Sequence, residues 1–322
     1  MRKEKLLIIG ANGQIGTVLT NALRERYGKK KVIASDIRPS ALQDGPFEIV
    51  NILDSERLHE VVKKHKVNQI YHLAAILSAK GEENPARTWD INMKGLFNVL
   101  EIAKSAKIDK VFFPSSIAVF GEATPQTNTP QVTVLDPTTV YGISKAAGEH
   151  WCQYYHLKYG VDVRSLRFPG VIGHQTMPGG GTTDYAVDIF HKAVKGEDYE
   201  CFLKRNTRLP MIYMDDTIRA TIELMEAPAK KIKTRTSYNL AAMSFTPYEI
   251  TKEIRKHFPK FKVTYKPDTR QAIADSWTET IDDSEARKDW KWKEQYNLAE
   301  MTSEMIFHLK KKYLEGLVTS NQ

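Results

Sequence analysis

The chain has 322 residues, long enough for one large domain or two ordinary ones with a substantial core. Its 41% hydrophobic and 27% charged residues are the composition of a globular protein and exclude a fibrous or wholly disordered one. Forty-seven Lys and Arg against 39 Asp and Glu give a net charge of +8, but "KKK" (29–31) and "AKKIKTR" (229–235) read as loop or helix-end lysines, so no nucleic-acid partner is expected. Cys152 and Cys201 form no CxxC and no disulfide framework, which points to a reducing compartment. No run of about 18 apolar residues suggests a membrane span, and "MRKEKLLIIG" is too short ahead of its first strand for a signal peptide. The expectation is a cytoplasmic protein.

In chain order, "KLLIIG" (5–10) is a short apolar run closed by glycine and predicts a buried parallel strand. "IGTVLTNALRERYG" (15–28) has helical spacing, with Gly28 placed as a stop. "KVIASD" (31–36) and "FEIVN" (47–51) predict two further strands, and "SERLHEVVKKH" (55–65) a helix capped by Ser55. A fourth strand, "QIYHLAA" (69–75), precedes a helix starting at Pro85, and "KVFFPSS" (110–116) is the fifth. Strand and helix alternate in this way for about 170 residues, the pattern of a doubly wound parallel α/β sheet. After "VRSLRFPG" (163–170) glycine, proline and polar residues take over, until "RLPMIYMDDTIRATIELME" (208–226) predicts a strand or turn followed by a helix. "TSYNLAA" (236–242) is short enough to return one strand to the sheet. "FTPYEITKEIRKHF" (245–258), "FKVTYKP" (261–267) and a last helix near 301–313 complete the chain. The expected organisation is a dinucleotide-binding part over 1–169, rejoined by 211–242, and a smaller discontinuous α/β part over 170–210 and 243–322.

The segment "GANGQIG" sets Gly10, Gly13 and Gly16 between the first strand and the first helix. Glycines there permit a tight turn and let backbone N–H groups approach a pyrophosphate at the positive end of a helix. Asp36 closes the second strand, where a carboxylate accepts hydrogen bonds from a ribose 2′-OH and repels a 2′-phosphate. The expected cofactor is therefore NAD; Arg38, two residues on, is the group that would tolerate NADP.

"YGISK" spaces Tyr141 and Lys145 four apart, one above the other on a helix face. A phenol near pKa 10 is a poor base at neutral pH, and an ammonium one turn away stabilises its phenolate. Upstream, "PSSIAVFG" leaves Ser115 and Ser116 at the carboxyl edge of the sheet, where ligands of such folds bind.

With glycine turn, serine pair and YxxxK in this order, the chain resembles the extended branch of the short-chain dehydrogenase/reductase superfamily, whose cofactor part is a Rossmann sheet. That resemblance implies Tyr141 as catalytic base, Lys145 as its electrostatic partner and a ligand of the nicotinamide ribose, and Ser116, with Ser115 beside it, as the group polarising the substrate. It also implies that Asn12, Gln14 and Ile15 complete the glycine turn and that Leu73, Ala74 and Ala75 line the adenine side. Asn51 and Ile52 would flank the adenine, Asn51 standing where many relatives carry Asp, while Asn92 and Phe168 complete the cofactor set. Helices with such YxxxK motifs often pair into dimers in the superfamily, so a homodimer is expected.

Most extended relatives act on nucleotide sugars. Here "PGGGTTDYA" (178–186) follows instead, and a bare glycine run forms a nest suited to a small anion such as a carboxylate. The stretches "HLAAILSAKGEENP", "SSIAVFG", "RFPGVIG" and "PGGGTTDYA" are similar to the short-chain-type L-threonine 3-dehydrogenase family. This implies NAD-dependent oxidation of the L-threonine 3-hydroxyl to L-2-amino-3-oxobutanoate, a step of amino-acid catabolism. Ser78, Gly181, Thr182 and Thr183 would grip the amino and carboxylate ends, and Trp277 would close over them. The alternatives are a nucleotide-sugar epimerase or dehydratase with the same Ser-Tyr-Lys centre, and a non-catalytic NAD(H) sensor. No histidine or cysteine spacing suggests a metal, and Met211 and Met214 read as core.

Overall fold

The computed structural model describes residues 4–39, 44–177 and 179–319, so Pro178, at the head of the glycine run, lies outside the described residues. The strands are β1 (Leu6–Ile9), β2 (Val32–Asp36), β3 (Phe47–Ile49), β4 (Gln69–His72), β5 (Lys110–Ser116), β6 (Val163–Phe168), β7 (Gly170–Ile172), β8 (Tyr199–Cys201), β9 (Leu209–Tyr213), β10 (Tyr238–Asn239), β11 (Met243–Phe245) and β12 (Val263–Tyr265). Seven of them form one parallel sheet in the order β3-β2-β1-β4-β5-β6-β10. All four residues of β1 are buried, as a strand covered on both faces requires. Alternation along β1 sends Leu6 and Ile8 toward the helices Gln14–Tyr27 and Met214–Glu226, and Leu7 and Ile9 toward Ser55–His65 and Gly95–Ser105. The order reverses between β1 and β4, so their carboxyl ends flank a crevice. The fold is the expected doubly wound Rossmann-type sheet.

A third core, including Phe190, Leu209, Met211, Phe245, Ile250, Met305 and Leu309, joins the helices Tyr185–Lys195, Pro247–His257 and Leu298–Thr319 to the sheet β11-β9-β7. β12 pairs in parallel with β8, and β10 returns beside β6 as expected for "TSYNLAA". Gly28 ends the first helix at φ 97°, a conformation that suits glycine.

Several local expectations need correction. The second long helix begins at Ser55, but its cap is Asp54, whose carboxylate accepts from Arg57 N at 2.9 Å; Ser55 is already inside the helix. The helix from Pro85 is interrupted by a π turn, Asp90–Lys94, before resuming as Gly95–Ser105. A short helix, Ser78–Glu82, stands where no element was expected, and the last helix is longer than expected. Met211 and Met214 are fully buried, as expected for core. Cys152 and Cys201 are buried free thiols, and burial pushes both upward in pKa, Cys201 to about 11.

Candidate active site

The glycine turn closes against the ends of β2 and β4. Gly10 N and Ala11 N donate to Ser35 O, and Gly13 N donates to Gly10 O at 3.1 Å. Gly10 has φ +87°, and a Cβ on it would lie 2.8 Å from Ala74 N; one on Gly16 would lie 2.1 Å from Gly10 O. No side chain larger than hydrogen fits at either position. The first helix opens at Gly13 with no side-chain cap and no acid in its first turn, so its terminal N–H groups and positive end face the crevice undiminished. Asp36 accepts from Asn12 N at 3.1 Å and from Arg38 N at 3.3 Å, which aims the carboxylate across the mouth of the turn.

The helix Val140–Tyr159, capped by Thr139, runs past the end of β5. The Tyr141 hydroxyl and Ser116 share one wall of the cleft. Burial pushes Tyr141 up to about 12, while the neighbouring Ser116 hydroxyl works in the opposite sense. Lys145 donates from Nζ to Pro114 O at 2.6 Å, and its ammonium lies 5.5 Å from the Tyr141 ring centre. Desolvation lowers Lys145 to about 8, with Cys152 and Glu149 acting against that fall. The two serines have separate roles. Ser115 donates to the buried Glu149 Oε1 at 2.6 Å and is thereby committed to the protein interior, whereas Ser116 faces Tyr141.

One cleft collects Gly10, Gly13, Gln14, Ile15, Gly16, Leu73, Ala75, Ser78, Ser115, Ser116, Tyr141, Lys145, Phe168, Gly181, Thr182, Thr183 and Trp277. It continues past Gly10 and Leu73 into a second hollow lined by Asp36, Arg38, Asn51, Ile52 and Ala74. Two expected cofactor residues line neither. The Asn12 side chain donates to Arg38 O and Pro39 O, and Asn92 is occupied by Ile76 N, Ile76 O and Ser144 Oγ. Both hold loops that border the cleft. Asn51 lends its carbonyl oxygen to Leu53 N at 3.1 Å, part of a local turn.

The glycine run is less of an anion nest than its composition suggests, because Gly181 N donates to Asp184 Oδ2 at 2.7 Å. Thr182 is 1% exposed, yet its Oγ1 has no hydrogen-bond partner among the described residues, and it lines the same cleft as Tyr141. A buried hydroxyl without a partner calls for an explanation, and the adjoining cleft makes Thr182 a candidate ligand contact. Trp277 is buried in the third core and presents part of its surface to the cleft. Asp184, in the cleft wall, and the buried Glu149 and Arg167 behind it were not singled out from the sequence. Isolated acids and a strand arginine carry no local signal of burial. The nearest clue was Glu149, four residues beyond Lys145 on the same helix face.

Comparison with known proteins follows this geometry. The sequence profile of the NAD-dependent epimerase/dehydratase family matches residues 6–241. The chain belongs to that family. An uncharacterised epimerase/dehydratase of Staphylococcus haemolyticus is 48% identical over 314 residues, 96% of this chain and 98% of the relative. Among solved structures, a GalE-like L-threonine dehydrogenase from Cupriavidus necator in its holo form is 58% identical, covers 95% of this chain and 100% of its own, and superposes with a TM-score of 0.94. A monomeric L-threonine 3-dehydrogenase of metagenomic origin, in its apo form, is 49% identical over 95% of this chain and 99% of its own, with a TM-score of 0.93. Membership of the epimerase/dehydratase family implies NAD(H), and the residues present fit it: a turn in which Gly10 and Gly16 leave no room for a Cβ, an uncapped helix end, and a carboxylate at the end of β2.

Proposed function

We propose that this family member is an NAD-dependent L-threonine 3-dehydrogenase, converting L-threonine to L-2-amino-3-oxobutanoate. The observation that carries the reading is the cleft itself. Its wall brings Tyr141, Ser116, Thr182 and Asp184 round one hollow, and the buried Thr182 hydroxyl has no partner among the described residues. That is a polar lining suited to a small zwitterion. The chain's likeness to two L-threonine dehydrogenases over almost its whole length supports the same substrate.

Gly10, Gly13, Gln14, Ile15, Gly16, Asp36, Leu73, Ala74, Ala75, Lys145 and Phe168 are the residues that would hold NAD, with Asn51 and Ile52 on the adenine side. Bound NAD⁺ supplies the acceptor for the hydride that leaves C3 of the substrate. The chain's own part is proton transfer and orientation. Ser116 holds the substrate 3-hydroxyl by a hydrogen bond, and the Tyr141 phenolate takes its proton. Lys145 stabilises that phenolate, offsetting the burial that holds the phenol protonated. Thr182, Thr183 and Ser78 grip the substrate carboxylate, and Asp184 accepts from the substrate ammonium.

The test is to follow NADH absorbance with NAD⁺ and a panel of hydroxy amino acids and nucleotide sugars. Steady NADH production with L-threonine is the expected result. Turnover of a nucleotide sugar without net NADH would instead assign the epimerase chemistry, and silence with every substrate a sensor role.

A further inference from the structure

The helix Val140–Tyr159 and the end of β5 are stitched together by three successive contacts. Tyr141 meets Ser116, Lys145 meets Pro114 O, and Glu149 meets the Ser115 hydroxyl. The three helix residues are spaced by four, so each lies one turn beyond the last. The deepest contact is the most strongly built. Glu149 is completely buried and is held by Arg167 of β6 in a two-point ion pair, Nε to Oε1 at 2.9 Å and Nη2 to Oε2 at 2.7 Å. The remaining guanidinium nitrogen is fixed as well, to Gln131 O and to Asn239 Oδ1 of β10. A buried pair of this kind is weak evidence for stability, since an apolar pair of the same shape often serves as well. Its presence under the cleft therefore calls for another reason.

We propose that Glu149 and Arg167 are positioning residues for the Tyr141 centre, holding the end of β5 through the Ser115 hydroxyl so that Ser116 and the Pro114 carbonyl meet Tyr141 and Lys145. The proposal rests on the reading of Tyr141 as the base. Ser115 and Ser116 are consecutive, so their side chains point to opposite faces of the strand; anchoring one on the interior orients the other toward the cleft. The charge of Glu149 has a second effect. Lys145 is packed against Phe113 and Pro114 of β5, with His72 on β4 and Tyr141, Glu149 and Cys152 on its own helix as the ionisable neighbours, and Arg167 beyond Glu149. His72 is held neutral by burial, and burial keeps the Cys152 thiol protonated. Glu149 is then the anion that favours the Lys145 ammonium.

Three variants test this. Ser115→Ala keeps the ion pair and removes the tether. Glu149→Gln keeps an acceptor for Ser115 and removes the charge. The double change of Glu149 and Arg167 to Met removes the pair without leaving an unpaired buried charge, so it tests the idea even if Glu149→Gln fails to fold. With L-threonine and NAD⁺, Ser115→Ala and the double variant should lose roughly tenfold or more in kcat while KM for NAD⁺ changes less than about twofold. Separately, the ¹³Cε resonance of Lys145 in the cofactor-free protein, assigned with Lys145→Arg, should titrate about one unit lower in Glu149→Gln. Full kcat in both Ser115→Ala and a folded double variant, or an unmoved Lys145 titration, would overturn the proposal. Tyr141→Phe run in parallel separates the two readings. If it too keeps full turnover, the reading of the base falls; if it alone is inactive, only the positioning role does.

Discussion

A tyrosine serves as a base near neutral pH only when something offsets the preference of a buried phenol for its proton. In this chain burial pushes Tyr141 up to about 12 and the neighbouring Ser116 hydroxyl opposes that rise; on the proposed reading the Lys145 ammonium, 5.5 Å from the ring centre, adds to the opposition. Tyr141→Phe should therefore lower kcat about 10²–10⁴-fold while NAD⁺ affinity, measured by fluorescence titration, is retained. Thr182→Ala removes a hydroxyl from a charged ligand group, a contact of roughly 1.5–3 kcal/mol, so kcat/KM for L-threonine should fall about 10- to 150-fold with NAD⁺ affinity unchanged. Equal losses toward both ligands would reassign the glycine segment to a purely structural turn. Asp36 faces the glycine turn, already accepting from Asn12 N. The protein should prefer NAD⁺ to NADP⁺, and Asp36→Ala should narrow that preference in steady-state assays. A wild-type preference for NADP⁺ would transfer the role to Arg38. The Tyr141–Lys145 pair, the Ser115–Ser116 pair and Asp36 could be picked out in the sequence because their chemistry is tied to local spacing. The difference between Ser115 and Ser116 could not, because it depends on Glu149, 34 residues away from Ser115.

Elements bring their own electrostatics. β4 ends in His72, which is buried between the sheet's layers, has an Nδ1 without a partner among the described residues, and is pushed down to about 3 by desolvation and the nearby Lys145. Its folded pKa lies below the unfolded value near 6.5, so the unfolded chain binds the extra proton first and stability is lost as pH falls below 6.5. Between pH 6.5 and 4.5 this one group accounts for about 2 kcal/mol. His174 and His191, also held low by burial, act in the same direction, so the informative quantity is a difference. The urea midpoint should drop less on acidification in His72→Asn than in wild type; an equal drop would show that His72 does not titrate on unfolding. The elements themselves were read well where period and caps agree, as in β1 and the helix Pro247–His257, whose Thr246 and Glu249 form a reciprocal capping box. They were misread where the cap lies one residue earlier, as at Asp54, or where a π turn at Asn92 shifts the register without any sequence mark.

At the scale of the molecule, the helix that carries Tyr141 also presents an apolar face to the outside. Ile143, Trp151, Tyr154 and Leu157 are all well exposed, and Trp151 packs edge-on against Phe97 of the neighbouring helix. The homodimer expected from the sequence would use this exposed apolar face. Light scattering at micromolar concentration should report a dimer, and Leu157→Asp should shift it toward monomer without abolishing NAD⁺ binding. A monomeric wild type would group the chain with its monomeric relative instead. No helix among the described residues is long and apolar enough to cross a membrane.

The sequence by itself determined the alternation of strands and helices, the glycine turn with its acid and the Tyr-Lys pair. Each is encoded within one turn, one strand or one βα unit, where period, glycine placement and helical spacing act locally. Only the tertiary structure decided which serine faces the cleft, that Thr182 is buried with a hydroxyl unmet among the described residues, and that Glu149 and Arg167 lie beneath the Tyr141 centre. Those facts depend on contacts between segments far apart in the chain. A side chain's burial and its hydrogen-bond partner are properties of the packed interior, and no local pattern of residues specifies them.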